Sequence, residues 1–383
     1  MTRADRPRSA DAQPSEIRPG RRRLRAALAL ILLTPFCAEL TFTAVAVPTT
    51  WLLLPLLLIM YGAGVLLIRE AVVRVGAGWP SLVALGLAYQ LAEDGLGLQA
   101  LTSPQMYGAA DWGLRALGIN WTYWESQIGV HLVLSVLLPI MITNLIFPTL
   151  RQQPYLRTGG FVVAGVLAVV GVLGLRVIVS ATEDPGYQTP WPWTVGYVVV
   201  IALLAWLALG VLPRFKDPDR ARTDRRSPRP VVIGIVSAYL TLAFLTTLLP
   251  LGFGSHLLFG DLMSRPLRLF VAAVTAIPFG WLVLRWRKSA DWADSHRLWL
   301  IGGILVSHTA FMIPASPTSA AIGVITIGLE AVLLIILGRH ALGEARTTGS
   351  PRSADTRPER ARGIAETDAD QPAGPYRSVE DVR

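Results

Sequence analysis

The chain has 383 residues, 52% of them hydrophobic and 16% charged, against about a quarter charged in an average soluble domain. That balance excludes a soluble globular protein, which would need more polar surface than this chain supplies. The formal net charge of +9 does not point to nucleic acid, because no basic stripe interleaves with aromatics and no nucleic-acid motif is present. The single cysteine, Cys37, rules out an intrachain disulfide and a Cys-based metal cluster.

In chain order, residues 1–25 are polar and aperiodic and end in Arg21-Arg22-Arg23-Leu24-Arg25, which reads as a disordered basic cytoplasmic arm. Ten apolar stretches follow, at about 27–47, 51–68, 79–101, 127–148, 160–181, 193–212, 231–252, 267–286, 298–314 and 318–338. Each is close to the roughly 20 residues that cross a bilayer core as a helix. Residues 26–340 are therefore expected to form an all-α, polytopic transmembrane helix bundle of about ten spans, with both termini cytoplasmic. Residues 341–383 return to Arg, Asp, Glu, Pro and Ser and are expected to be a disordered cytoplasmic tail.

The charge distribution orients this bundle. With the N-terminus inside, the cytoplasmic segments hold 31 Lys and Arg, and the external ones hold only Arg115, Arg265 and Arg268, as the positive-inside rule requires. Ala44-Val45-Ala46 resembles a signal-peptide cleavage site. The length of the first apolar stretch and Glu39 within it favour a retained span, and cleavage would leave nine spans in the same orientation. Trp51, Trp79, Trp112, Trp121, Trp124, Trp191, Trp193 and Trp299 fall near span ends, where amphipathic rings prefer the interface. The seven basic residues of loop 213–230 set topology and meet anionic lipid.

Ionisable groups inside spans are costly and usually face a bundle interior. Here they are Glu39, Glu93, Asp94, His131, Arg176, His308 and Glu330. Glu93 lies about 14 residues along an outward-running span, roughly 21 Å at the helical rise. His131 comes early in the inward-running fourth span, Arg176 and His308 come late in outward-running ones, and Glu39 lies past the middle of the first. Six of the seven therefore share the external half of the membrane, with Glu330 nearer the middle, which predicts one polar cavity near the outer surface. In the third span Gly86, Gln90, Glu93 and Gly97 follow the spacing of one helix face. Two adjacent carboxyls in low dielectric repel, so one is expected to hold a proton. The bland alternative is that Glu93 and Asp94 only pair with Arg176 or His131. Loop 102–126, with Asp111, Asn120, Trp121, Trp124 and Glu125, forms either a lid over the cavity or an ordinary connector.

Tyr61-Gly62-Ala63-Gly64, Ile68-Arg69-Glu70, Gly78-Trp79, Glu93-Asp94-Gly95, Asn120-Trp121 and His131 make residues 55–150 resemble an uncharacterised family of polytopic bacterial membrane proteins. That resemblance places the chain in the plasma membrane as a multi-pass protein and brings no activity with it. A more distant similarity is to the CAAX-protease and bacteriocin-processing intramembrane peptidases, which use a Glu-Glu-x-x-x-Arg span and later histidines. Glu93, Asp94, His131 and His308 would match these, but Leu98 stands at the Arg position, Gln127 replaces the aromatic before the first histidine, and Met312 replaces an Asn.

The first functional reading is an intramembrane hydrolase acting on a peptide-like substrate, with Glu93, Asp94, His131 and His308 as catalytic residues. Glu39, Gln90, Arg176, Asn120 and Trp121 would line the cavity or pair its charges. The second is a proton-coupled transporter or exporter of a small molecule, in which Glu93 and Asp94 carry the proton. The third is a membrane assembly or binding subunit. One Glu, one Asp and two His have the chemistry for a divalent metal, yet no HExxH-like spacing accompanies them. No nucleotide-binding motif is present. The lipid bilayer is the expected partner and nucleic acid is not.

Overall fold

Ten long helices account for most of this computed structural model, which describes residues 19–215, 223–254, 257–260 and 262–348. Eight are long and apolar enough to cross a membrane. They are α2 (Pro48–Arg74), α4 (Trp121–Ile146), α5 (Thr158–Glu183), α6 (Trp191–Arg214), α7 (Pro230–Leu248), α8 (Arg265–Trp286), α9 (Asp294–Ala315) and α10 (Pro317–His340). The other two, α1 (19–40) and α3 (79–97), take the places of the first and third expected spans and carry Glu39 and the Glu93-Asp94 pair. The protein is an all-α, polytopic, multi-pass membrane protein. Its one described β element is a two-residue hairpin pairing Arg115–Ala116 with Ile119–Asn120.

Proline sets several helix starts. Pro80, Pro192 and Pro266 stand in the first two positions of α3, α6 and α8, and Pro230 opens α7, where a missing N–H leaves no bond unmade. Two boundaries differ from the sequence expectation. Arg21–Arg25 form the first turns of α1 rather than an unstructured arm, because long arginine stems lie along apolar surface while their charged ends stay in water. The last helix runs on to Thr348, eight residues into the expected tail. Residues 1–18 and 349–383, the rest of the expected arm and tail, lie outside the described residues.

Two hydrophobic cores hold the bundle. One gathers Leu30, Met60, Val65, Leu91, Leu101 and Leu175 from α1, α2, α3 and α5. The other gathers Leu248, Ala272, Leu305, Phe311 and Met312 from α7, α8 and α9. The helix α4 supplies residues to both, and 61% of its apolar window is buried, against 11% for α6 and α8. It is therefore the central pillar, and α6 and α8 present their sides to lipid. The helices α7 and α9 touch through backbone: a Cβ on Gly303 would stand 2.3 Å from the Gly234 carbonyl oxygen and 2.9 Å from Ser237 Cβ. Such small-residue contacts let membrane helices gain dispersion energy that lipid cannot match. Gly303→Val should lower stability by about 1–3 kcal/mol or more, read as a fall in thermal midpoint in detergent; the lipid-facing Gly280, which has open space around it, is the control position.

The arginine-rich face is tied by three clusters. Buried Arg69 donates to Glu70 at 2.7 Å and to the carbonyls of Leu150 and Gln153 at 2.7 Å each, and it lies 3.4 Å above the Tyr155 ring. Glu70 in turn accepts the N–H groups of Tyr155 and Leu156. Arg151, beside the first core, pairs with Asp294 at the start of α9 at 3.0 Å and so joins the two cores on this face. Ser227 donates its N–H and its hydroxyl to Asp291 at 2.7 Å and meets His296 at 3.2 Å. These bonds hold the exposed Asp291 carboxyl below its ordinary range, so this tie persists until pH falls through that lowered value. The serine proton points at the carboxylate, and His296 accepts the Ala293 N–H through Nδ1, so this Ser-His-Asp set caps a helix and does not build a nucleophile.

Candidate functional site

Six of the described helices contain π turns, including Arg176–Ser180 in α5 and Leu207–Val211 in α6, and four of the six meet at one site. These four are Phe36–Leu40 in α1, Leu58–Gly62 in α2, Leu91–Gly97 in α3 and Ile128–Leu137 in α4. They carry Glu39, Tyr61, Glu93 with Asp94, and His131 respectively. A π turn inserts one residue into the α register and is favoured where a side chain must be aimed at a site. In α1 the widening follows Pro35, which cannot donate to the ladder.

The five side chains form one connected polar chain, joined by the Tyr61 hydroxyl at one end and by close contacts of the His131 ring at the other. Tyr61 donates to Glu39 Oε1 at 2.6 Å and also contacts Glu93 Oε1. Glu93 Oε2 lies 3.1 Å from His131 Nδ1, and His131 Nε2 lies 3.4 Å from Asp94 Oδ2. Tyr123 and Gln90 donate to Asp94 at 3.0 Å each, and Trp124 donates to Gln90 at 3.0 Å. All of these except Glu39 and Trp124 are buried. Two features of this chain follow from counting protons. His131 faces a carboxylate through each ring nitrogen, an arrangement satisfied when both nitrogens carry hydrogen. Tyr61 has one hydroxyl proton for two carboxyl neighbours, so one of Glu39 and Glu93 must itself carry a proton to donate.

Glu39, Tyr61, Glu93 and His131 of this chain line the inner end of a cavity of about 640 Å³, with Asp94 behind them, a volume typical of small-molecule sites. Leu57, Tyr61, Leu98, Tyr123 and Leu175 of the first core line one side, and Phe42, Val130 and Leu249 of the second line another. The cavity therefore sits on the seam between the cores. Its outer residues are Thr49, Thr50, Tyr107, Trp112, Glu183 and Phe253, all on the face opposite the arginine-rich one. Loop 102–126 thus supplies rim residues, and its last six residues, from Trp121, already belong to α4. The chain after α1 is irregular at this level, with Phe42 at φ −129°, ψ −91° and Val47 at φ −126°, ψ 83°.

Several sequence expectations land elsewhere. His308 is fully buried, but it stacks on Phe42 with ring centroids 3.7 Å apart and is not among the cavity residues. Phe42, delivered by the break after α1, occupies the place between them. The four-residue arrangement of Glu93, Asp94, His131 and His308 is therefore not assembled. Arg176 pairs with no carboxylate among the described residues. It donates to the Leu96 carbonyl at 2.9 Å and to Gln188, closing the end of α3. Asn120 donates to the carbonyls of Ala100 and Ser103, and Trp121 to that of Ala116, so both shape the loop and not the cavity. Gly86 packs against Leu132 of α4, whereas Gly97 packs against Val172 and Leu175 of α5. The π turn between them rotates the end of α3 away from the face it would hold in a regular helix. Glu330 lies apart, accepting the Thr309 hydroxyl at 2.5 Å. Among the described residues, no group of three or more His, Cys, Asp or Glu is placed to hold a metal ion.

Tyr61 and Tyr123 were not among the residues expected from sequence. Ionisable acids and bases in spans were the signal used there, and a tyrosine, usually neutral, does not stand out among apolar residues. The Tyr61-Gly62 motif was the available pointer. Gly62 lies where a Cβ would meet the Ile31 backbone of α1 at 2.9 Å, and that close approach brings Tyr61 to Glu39.

The description "Uncharacterized membrane protein family" matches residues 28–342. The chain belongs to that family. It is also 26% identical over 179 residues to a "Putative ribose uptake protein RbsU" of Staphylococcus epidermidis, a match covering 46% of this chain and 57% of that protein. The same protein from a second strain matches equally. The chain thus spans just over half the length of the curated relatives it matches. No solved structure matches it.

Proposed function

We propose that the protein is a proton-coupled transporter whose small solute enters the cavity from the arginine-poor face. The observation that carries this reading is the position of the Glu39–Tyr61–Glu93–His131–Asp94 chain at the inner end of a cavity on the seam between two cores. A proton shared across a tyrosine by two glutamates is a movable charge. Two packed bodies meeting at the site supply the surfaces that rock in alternating access, and irregular backbone such as that at Phe42 and Val47, on either side of the single turn Thr43–Ala46, is tolerated at membrane depth where it lines a cavity. The Arg151–Asp294 pair closes the same seam on the opposite face, as an outward-open state requires. The printed name of the Staphylococcus epidermidis relative, which speaks of ribose uptake, supports transport over hydrolysis.

Infrared difference spectra of the reconstituted protein across a pH step test the proton-binding part without a substrate. The expected result is a carboxylic-acid C=O band that grows on acidification and is diminished in Glu39→Gln. A spectrum identical in wild type and Glu39→Gln would overturn it. For the transport part, D-ribose and benzyltrimethylammonium are the probes: proteoliposomes should accumulate one of them faster under a pH gradient of one polarity than without a gradient, and no gradient-dependent accumulation of either would overturn the reading.

A further inference from the structure

Resting on the transporter reading, we propose that the solute taken by this cavity is a small organic cation, an ammonium or amine bearing apolar groups, which exchanges with the proton on the carboxyls at the inner end. Three carboxyl groups line the cavity, Glu39 and Glu93 at depth and Glu183 at the mouth, and no Lys or Arg is among its lining residues. The arginines on this face are turned to other work. Arg115 donates to the Thr102 carbonyl at 2.8 Å, Arg265 to that of Asp111 at 2.6 Å, Arg268 to that of Trp112 at 2.8 Å, and Arg176 to that of Leu96 at 2.9 Å. Each of these guanidiniums is held by a backbone carbonyl and none is in the lining, although Arg268 keeps Nε and Nη1 without a partner among the described residues behind Trp112. Among the described residues the only basic group lining the cavity is His131, which lies between two carboxylates.

The walls complete the recognition. Phe253 meets Phe42 edge to face at 5.4 Å, and Tyr107 stacks beside Tyr123 at 5.9 Å. Tyr107 and Phe253 keep exposed surface, 46% and 42%, and Trp112 stands with them in the lining. Aromatic faces attract a poorly hydrated cation through the ring quadrupole, and aromatic-lined sites are a recurring solution for quaternary ammonium ligands. A neutral polyol instead needs several free donors and acceptors around its hydroxyls. Here the polar lining apart from the carboxyls and His131 is Thr43, Thr49, Thr50, Gln127 and the tyrosine hydroxyls, and most of the rest is aliphatic or aromatic. The cation and the proton draw on the same carboxyls, so each displaces the other.

Isothermal titration of the purified full chain in detergent with benzyltrimethylammonium, D-ribose and benzoate tests this. Benzyltrimethylammonium should bind with one-to-one stoichiometry, and its apparent affinity should rise about tenfold per pH unit while one competing carboxyl titrates. Glu39→Gln should weaken it about tenfold, as expected when a close charged partner is removed. Tyr107→Ala, at the rim, should weaken it too and serves if Glu39→Gln does not fold. Binding of D-ribose without benzyltrimethylammonium would overturn the cation inference and leave the transporter reading standing. Benzoate binding, or no binding by any of the three, would overturn the inference as well. The infrared band shared by Glu39 decides the proton-binding part separately, whatever the ligand.

Discussion

Glu93→Gln is expected to leave the bundle folded and to abolish accumulation driven by a pH gradient, while exchange of solute across the membrane continues. Glu93 is the middle of the chain: it contacts Tyr61 through one oxygen and His131 through the other. The amide keeps the shape and the contact with the Tyr61 hydroxyl, so stability should change by no more than about 1 kcal/mol, the usual cost of a tolerated substitution. What it loses is the exchangeable proton. Its NH₂ also faces His131 Nδ1 as a donor, so the imidazole can no longer donate there and must turn that nitrogen into an acceptor. The relay from Glu39 towards Asp94 is thereby cut at one link. Proteoliposomes with the variant should still show counterflow of the solute, at higher solute concentration than wild type because one cavity carboxyl is gone, and net accumulation no greater than protein-free liposomes. Accumulation at the wild-type level would show that the proton travels by another route, and loss of counterflow as well would point to a binding role.

Arg69→Met should cost more stability than any other single change outside the cavity. The guanidinium is almost fully buried and donates to Glu70 and to two backbone carbonyls while stacking on Tyr155. Removing it leaves those carbonyls without their donor and the buried Glu70 carboxylate without its close ion pair, held only by the Tyr155 and Leu156 N–H groups and the more distant Arg74. Breaking a buried pair from one side destabilises by about 3–5 kcal/mol, which corresponds to a fall in thermal midpoint on the order of 10 °C. Arg69→Lys keeps the charge but loses the planar fork and the stacking, and should fall between the two. A midpoint unchanged in Arg69→Met would mean that this knot follows the fold and does not hold it.

Much of the architecture can be read without coordinates, because a membrane imposes one simple rule: long apolar segments must satisfy their backbone internally as helices. The apolar stretches therefore locate the helices to within a few residues, as at 267–286 against Arg265–Trp286. The same rule makes charged residues within them conspicuous, and Glu39, Glu93, Asp94 and His131 do gather in one network. Depth is also legible, since it is a count of residues times a fixed rise. His308, Arg176 and Asn120 show the limit of that count. Sharing a depth with Glu93 does not make a side chain its neighbour, because rotation about the helix axis and the choice of adjacent helix are independent of depth.

Composition, span positions and the asymmetry of arginine by themselves determined that this is a multi-pass helical membrane protein with acids and a histidine buried inside it. The tertiary structure alone decided which of those groups meet. Four π turns add a residue to the register and swing Glu39, Tyr61, Glu93 and His131 towards one another, and the break after α1 places Phe42 against His308. Neither event follows from local preference. A π turn forgoes regular α hydrogen bonding, and it persists here because packed neighbours and the hydrogen bonds of the site hold it in place.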